Sequence, residues 1–206
     1  LEKLDSGFHR NDNFYKEKMM EKTSAPKGIN RKKLEEMFRK HGYKDYRWIN
    51  PKSIVVAQWA RMKCMFGCKN YGKCGTCPPN VPSVPESEAF FRGYKTGAVF
   101  RFTQKVKRPE DRFAWTKKVN SKLLELEREV FLSGYYKAFL LFMDSCNLCA
   151  SCTGIREECN NPKLARPTPE SMAVDVFATV RKIGYPIEVL YDYSQAMNRY
   201  AFLLIE

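Results

Sequence analysis

Tyr136-Lys-Ala-Phe-Leu-Leu-Phe-Met-Asp144 is followed, after one serine, by Cys146-Asn-Leu-Cys149-Ala-Ser-Cys152. The first run is apolar almost throughout and reads as a mostly buried strand. It delivers the chain to three thiols at two-residue spacing, with Cys159 following. In layered folds a strand that ends where a chemically active loop begins is the usual placement of a site.

The same pattern is expected upstream. Helix patterning runs from Pro109 to Ser133 and stops at Gly134, with Phe113, Leu123, Leu124, Val130 and Phe131 offered as its buried face. Before it, Thr96–Gln104 is β-branched and apolar enough for a strand, and Ser83 with Glu86 forms a capping box for a helix ending near Arg92. Tyr46–Ile49 and Ser53–Trp59 read as strands joined across Asn50-Pro51-Lys52, the second running straight into Cys64. Asn30 caps a helix from Arg31 to His41, with Leu34, Met37, Phe38 and His41 on one face and Gly42 as its stop. Downstream, Thr168-Pro169-Glu170 is read as a helix start, with the helix reaching Ile183 and stopping at Gly184. Pro186–Tyr191 and Tyr200–Ile205 close the chain as strands. Alternating strand and helix predict an α/β fold, a mixed sheet with packed helices and cysteine-rich loops following two strands. Residues 1–28 read as an extended basic N-terminal arm ending in Ser24-Ala-Pro26-Lys-Gly28, and residues 29–206 as a single α/β cluster-binding domain.

The composition supports a core without staples. With 44% hydrophobic residues in 206, the eight cysteines are not needed as disulfides to hold the fold. No apolar run approaches the roughly 20 residues of a membrane span, and the lysine-rich first 27 residues hold no apolar stretch of signal-peptide type. The expected location is the reducing cytoplasm. The net charge of +13 is carried within residues 1–109, and the remainder is near neutral. Such a front half suits an acidic partner, or is simply a solvated lysine surface.

All eight cysteines fall into two nests: Cys64, Cys68, Cys74 and Cys77, then Cys146, Cys149, Cys152 and Cys159. That partition predicts a thiolate-bound centre in each loop, all eight serving as metal and cofactor ligands. The second nest resembles the bacterial ferredoxin run for a 4Fe–4S cluster, with a longer gap before its fourth cysteine and Cys159-Asn-Asn-Pro162 in place of Cys-Pro. In two-cluster ferredoxins that fourth ligand serves the other cluster, and the same crossing is open here. In the first nest Gly67, Gly72 and Gly75 would let backbone curl round an inorganic core and aim amides at its sulfurs. Zinc is the alternative, but five residues between Cys68 and Cys74 are few for two converging knuckles. Soft ligands favour two 4Fe–4S clusters.

Cys64-x3-Cys68-x-Asn70-Tyr71-Gly72-Lys73, then Cys77-Pro78-Pro79, the second nest, and Pro162-x3-Arg166-Pro167-x2-Glu170-Ser171-Met172-Ala173-Val174-Asp175-Val176 together resemble the domain-of-unknown-function 2284 family of predicted metal-binding proteins, found widely in anaerobic bacteria and archaea. The match covers about residues 45–206. It implies metal binding and says little of activity. Cys74 departs from the family's pattern: either it is an additional ligand, or the first site takes Cys64, Cys68 and Cys77 with another donor.

Gly67-x4-Gly72-Lys73 imitates a phosphate loop but puts Cys74 where Ser or Thr should bind magnesium. Cys64-x3-Cys68 is followed by too long a gap for a radical S-adenosylmethionine motif. With two histidines, His9 in the arm and His41 at a helix end, a triad hydrolase is disfavoured. Tyr71, Arg166 and Asp175 read as structural neighbours of the nests. The expected function is an iron–sulfur electron-transfer protein or redox-enzyme subunit working with a protein redox partner or larger complex of acidic surface. A cluster enzyme with an open, substrate-binding iron and a zinc-stabilised basic module are the alternatives. The missing aromatic–basic stripe argues against nucleic acid.

Overall fold

The computed structural model describes residues 28–108, 110–192 and 195–206. The arm expected over residues 1–28 lies outside them apart from Gly28, as does Pro109. The Asn30 side chain accepts from the Lys33 amide at 3.0 Å and opens α1 (Arg31–Lys40), which ends where Gly42 turns left-handed at φ 83°. β1 (Tyr46–Ile49) leads through a 3-10 turn at Pro51–Ser53 to α2 (Gln58–Gly67). The reciprocal Ser83–Glu86 capping box starts α3 (Val84–Arg92), and β2 (Gly97–Gln104) follows. α4 (Asp111–Leu132), β3 (Phe139–Leu141), α5 (Val176–Lys182) and β4 (Met197–Leu204) complete the set.

The strands form one sheet in the order β1-β2-β4-β3, every pairing antiparallel. β2 and β3 therefore run the same way on either side of β4, and α4 makes the crossover between them. Period-two alternation sorts the side chains to two covered faces. Ala98, Phe100, Leu140, Ala201 and Leu203 face α1 and α4, meeting Leu34, Phe38, Leu123, Leu126 and Val130. Val99, Leu141, Tyr200, Phe202 and Leu204 face α3 and α5, meeting Phe91, Val176 and Val180. Helices on both faces of a sheet give the expected α/β class.

Four readings need correction. Ser53–Trp59 is not a strand: it makes a single bridge, Val56 to Val174, before α2 begins, so Cys64 stands in the last turn of a helix and the first nest follows a helix rather than a strand. β-branched Ile54-Val55-Val56 carries a strand signal, but this segment takes its backbone partners from residues 173–175 and the Thr179 hydroxyl instead of from a sheet strand. The helix expected from Thr168 starts only after Asp175, since Ala173 takes φ 59° and the Thr168–Ser171 turn closes on itself. Pro186–Tyr191 is unpaired, with Val189 and Tyr191 exposed. On α4, Phe113 and Phe131 are exposed, because Thr116, Asn120 and Glu127 share the inward stripe with Leu123, Leu126 and Val130.

Candidate metal centre

Beyond the ends of β2 and β3, where β4 begins, the structure opens into a cavity of about 1860 Å³. Seven cysteines line it: Cys64, Cys68, Cys74, Cys77, Cys146, Cys149 and Cys152. The two nests, 72 residues apart at Cys74 and Cys146, share one space.

The second nest is placed by the polar stripe of α4. Glu127 Oε1 accepts from the Leu140 amide at 2.8 Å. Asn120 closes a two-way pair with the Met143 backbone, donating to its carbonyl at 3.2 Å and accepting from its amide at 3.3 Å. The Asn147 side chain donates to Phe113 O at 2.8 Å and Thr116 Oγ1 at 3.0 Å. Three polar residues on one face of the helix, Thr116, Asn120 and Glu127, thus set the path of residues 140–147, the segment that contains Cys146. Buried polar groups of this kind are retained only with partners, and here the partners are the chain that carries the thiols.

α2 carries the first nest. Buried Arg61 donates through Nη2 to Pro82 O at 2.8 Å and Ser171 O at 3.1 Å, fixing the helix one turn before Cys64. Cys64 Sγ lies 3.8 Å from Glu170 O. Past Cys68 the chain turns repeatedly, through Gly72 at φ 71°, to Cys77 and the cis Pro78–Pro79 bond. No helix follows until α3, so the phosphate-loop likeness has no structural counterpart.

Two glycines let the nests touch backbone to backbone. A Cβ on Gly75 would stand 3.0 Å from Ile155 O and 3.4 Å from Arg156 Cα, and Gly154, at φ 83°, packs on Gly72 and Lys73. The Asn80 amide ties the seam, donating to Gly154 O at 2.8 Å and Cys74 O at 3.3 Å. Gly75→Ala should force the loops apart and cost about 1–3 kcal/mol, the usual range for overpacking. Thermal unfolding of the metal-loaded protein checks this; an unchanged midpoint would mean that the seam yields freely.

Two sulfurs accept hydrogen bonds from amides: Cys152 from the Gly75 backbone at 3.5 Å and Cys149 from Asn161 Nδ2 at 3.0 Å. The Cys74 thiol is drawn down to about 5, chiefly because Cys77 donates to it, with Thr76 adding and burial opposing. The same bond, then burial, pushes Cys77 up, so the pair shares one proton with the charge on Cys74. Burial first, then the neighbouring Cys68 charge, raises Cys64, while Arg61 lowers it. Cys146 is raised mainly by burial. Glu170 is open to the cavity yet enclosed by protein on its other sides, and this enclosure raises its carboxyl, with Asp144 adding and Arg199 opposing.

The structure thus gathers seven of the eight expected ligands. Cys159 is not in the cavity wall; it closes a turn on Arg156 O at 3.3 Å. Among the described residues no three side chains of Cys, His, Asp or Glu converge as a site for a single metal ion; the thiols are spread around the cavity instead. Arg166 is structural, pairing with Glu127 at 2.9 Å, and Asp175 caps α5 through Ala178 N. Tyr71 lines the cavity, and His41 pairs with Glu129 at 2.7 Å between α1 and α4. Asn80, Asn161, Asp144, Glu170 and Arg199 had not been singled out for the site from the sequence. Asn80, two residues past Cys77-Pro78, and Asn161, two past Cys159, were the available signals. Asp144, bridged to Arg199 at 2.9 Å, keeps Oδ2 buried and unpartnered beside the second nest.

No helix among the described residues is long and apolar enough to cross a membrane. No curated protein and no solved structure matches the chain. The model of the family described as "Predicted metal-binding protein (DUF2284)" matches residues 47–205, a span that takes in both thiol nests and the cavity they share, and the chain belongs to that family.

Proposed function

We propose that this protein is an iron–sulfur electron-transfer protein or redox-enzyme subunit, its two nests holding two neighbouring 4Fe–4S clusters. The carrying observation is the convergence of seven thiols from two distant loops on one cavity. The donor set fits: it is sulfur throughout, and a backbone amide and the Asn161 amide already point at two of the sulfurs, as cluster sulfurs require. Such clusters accept and release one electron at a time, over potentials that their surroundings set.

The chain's part is to hold and bias them. The α4 stripe and Arg61 fix the two loops, and the seam at Gly75, Gly154 and Asn80 keeps them adjacent. Lys63, Lys69 and Lys73 surround the first nest and favour its reduced state over that of the second. α2 presents Trp59, Met62, Met65 and Phe66 beside it, all exposed, with Lys63 among them. An apolar patch rimmed by positive charge suits docking of an acidic redox partner. Cytoplasmic placement belongs to the same reading.

Redox titration followed by electron paramagnetic resonance tests it. Two centres should titrate, the first nest at the higher potential, and their signals should broaden by mutual interaction when both are reduced. Non-interacting signals, or one potential for both, count against neighbouring clusters. An enzymatic role with an open iron is the second reading, favoured by Cys159 lying outside the cavity wall.

A further inference from the structure

We infer that the ligand sets cross between the nests: Cys74 belongs with Cys146, Cys149 and Cys152, while Cys64, Cys68 and Cys77 form a three-thiol set whose fourth position opens to the cavity beside Glu170, and Cys159 serves neither. This rests on the two-cluster reading above.

Sequence order and its contacts with Thr76 and Cys77 tie Cys74 to its own nest, but its longer-range contacts lie with the second. It is the one buried cysteine of the eight, and its sulfur lies 3.9 Å from Cys146 O. The next residue, Gly75, gives its amide to Cys152 Sγ and packs on Ile155 and Arg156. Asn80 binds the Cys74 carbonyl and Gly154 O with one amide. The Cys74 sulfur, the Gly75 backbone and the Asn80 amide that holds the Cys74 carbonyl thus all reach residues 146–156. Cys64 instead borders residue 170, through the Glu170 carbonyl. Cys74 and Cys77 touch as free thiols; that contact marks the boundary between the sets. A backbone held on both sides costs little to keep when metal binds, whereas bringing Cys159 into the cavity would require its turn on Arg156 to open. Three protein ligands leave one iron exchangeable, which is where an external ligand binds.

The test compares anaerobically purified wild type with the alanine variants of Cys74, Cys159, Cys68 and Cys149, by iron content and electron paramagnetic resonance. Cys159→Ala should keep the wild-type iron and spectrum. Cys74→Ala should lose or alter the same centre as Cys149→Ala and leave the one that Cys68→Ala affects. Mild ferricyanide should convert one wild-type centre from the four-iron to the three-iron form, releasing one ferrous ion and passing one electron to ferricyanide. That three-iron signal should persist in Cys149→Ala and vanish in Cys68→Ala. A Cys74→Ala spectrum matching Cys68→Ala, loss of one centre in Cys159→Ala, or a ferricyanide signal that follows Cys149 overturns the crossing. If Cys74→Ala holds neither centre, the Cys159 and ferricyanide arms decide. Wild type without iron would instead sink the two-cluster reading itself.

Discussion

Glu127→Ala should destabilise the fold by about 3–5 kcal/mol, the cost of leaving a largely buried guanidinium without its carboxylate, with only the Lys163 and Ala165 carbonyls still accepting from it. Glu127 and Arg166 have side chains only 7% and 19% exposed, and their pair is doubly bonded, Nε to Oε1 at 3.0 Å and Nη2 to Oε2 at 2.9 Å. The loss would not end with the ion pair. β3 is one of the two edge strands, and its outward amides need partners. Leu140 N takes Glu127 Oε1 and Phe142 N takes Pro167 O at 2.9 Å, so Glu127 covers one position while Arg166, beside Pro167, steadies the next. Removing the carboxylate leaves the Leu140 amide without its acceptor, takes the counter-charge from Arg166 and loosens the segment that runs into Cys146. Equilibrium urea unfolding measures the loss, and Glu127→Gln, which can still accept from Leu140, should lose less. Near-equal stability of wild type and Glu127→Ala would show that the pair repays no more than its own desolvation.

The sheet was legible wherever both of its faces are covered. Thr96–Gln104 and Tyr200–Ile205 read as near-continuous apolar runs because alternate residues enter two different cores, and both appear as strands, the first ending at Gln104 as expected and the other ends shifted by one to three residues. Ile54-Val55-Val56 carried the same local signal without a sheet strand as its partner, and whether a strand finds an edge is decided by tertiary placement. α4 failed in the opposite sense. Its interior stripe includes Thr116, Asn120 and Glu127, which hydropathy assigns to solvent, and their partners lie across space at Asn147, Met143 and Leu140.

The thiols were legible because cysteine is scarce and its spacing is meaningful. Their shared cavity was not, since nothing local says that Gly75 must admit Ile155 or that Asn80 must reach Gly154. Gly75 was read as room for an inorganic core, and it is room for the other nest. The same limit applied to Cys74 and Cys159. Sequence order groups each with its neighbours, while burial and backbone contacts separate them.

The second large effect concerns content. Seven sulfurs line one cavity, and the wild-type protein should carry both centres, with about four iron and four sulfide for each. Zinc, a single ion bound tetrahedrally by four thiolates at about 2.3 Å, would bring no acid-labile sulfide with it. The most direct measurement is iron, acid-labile sulfide and zinc analysis of protein purified without oxygen. The account predicts a brown protein with about eight iron and eight sulfide per chain and negligible zinc. A colourless protein carrying one or two zinc ions and no sulfide would contradict it.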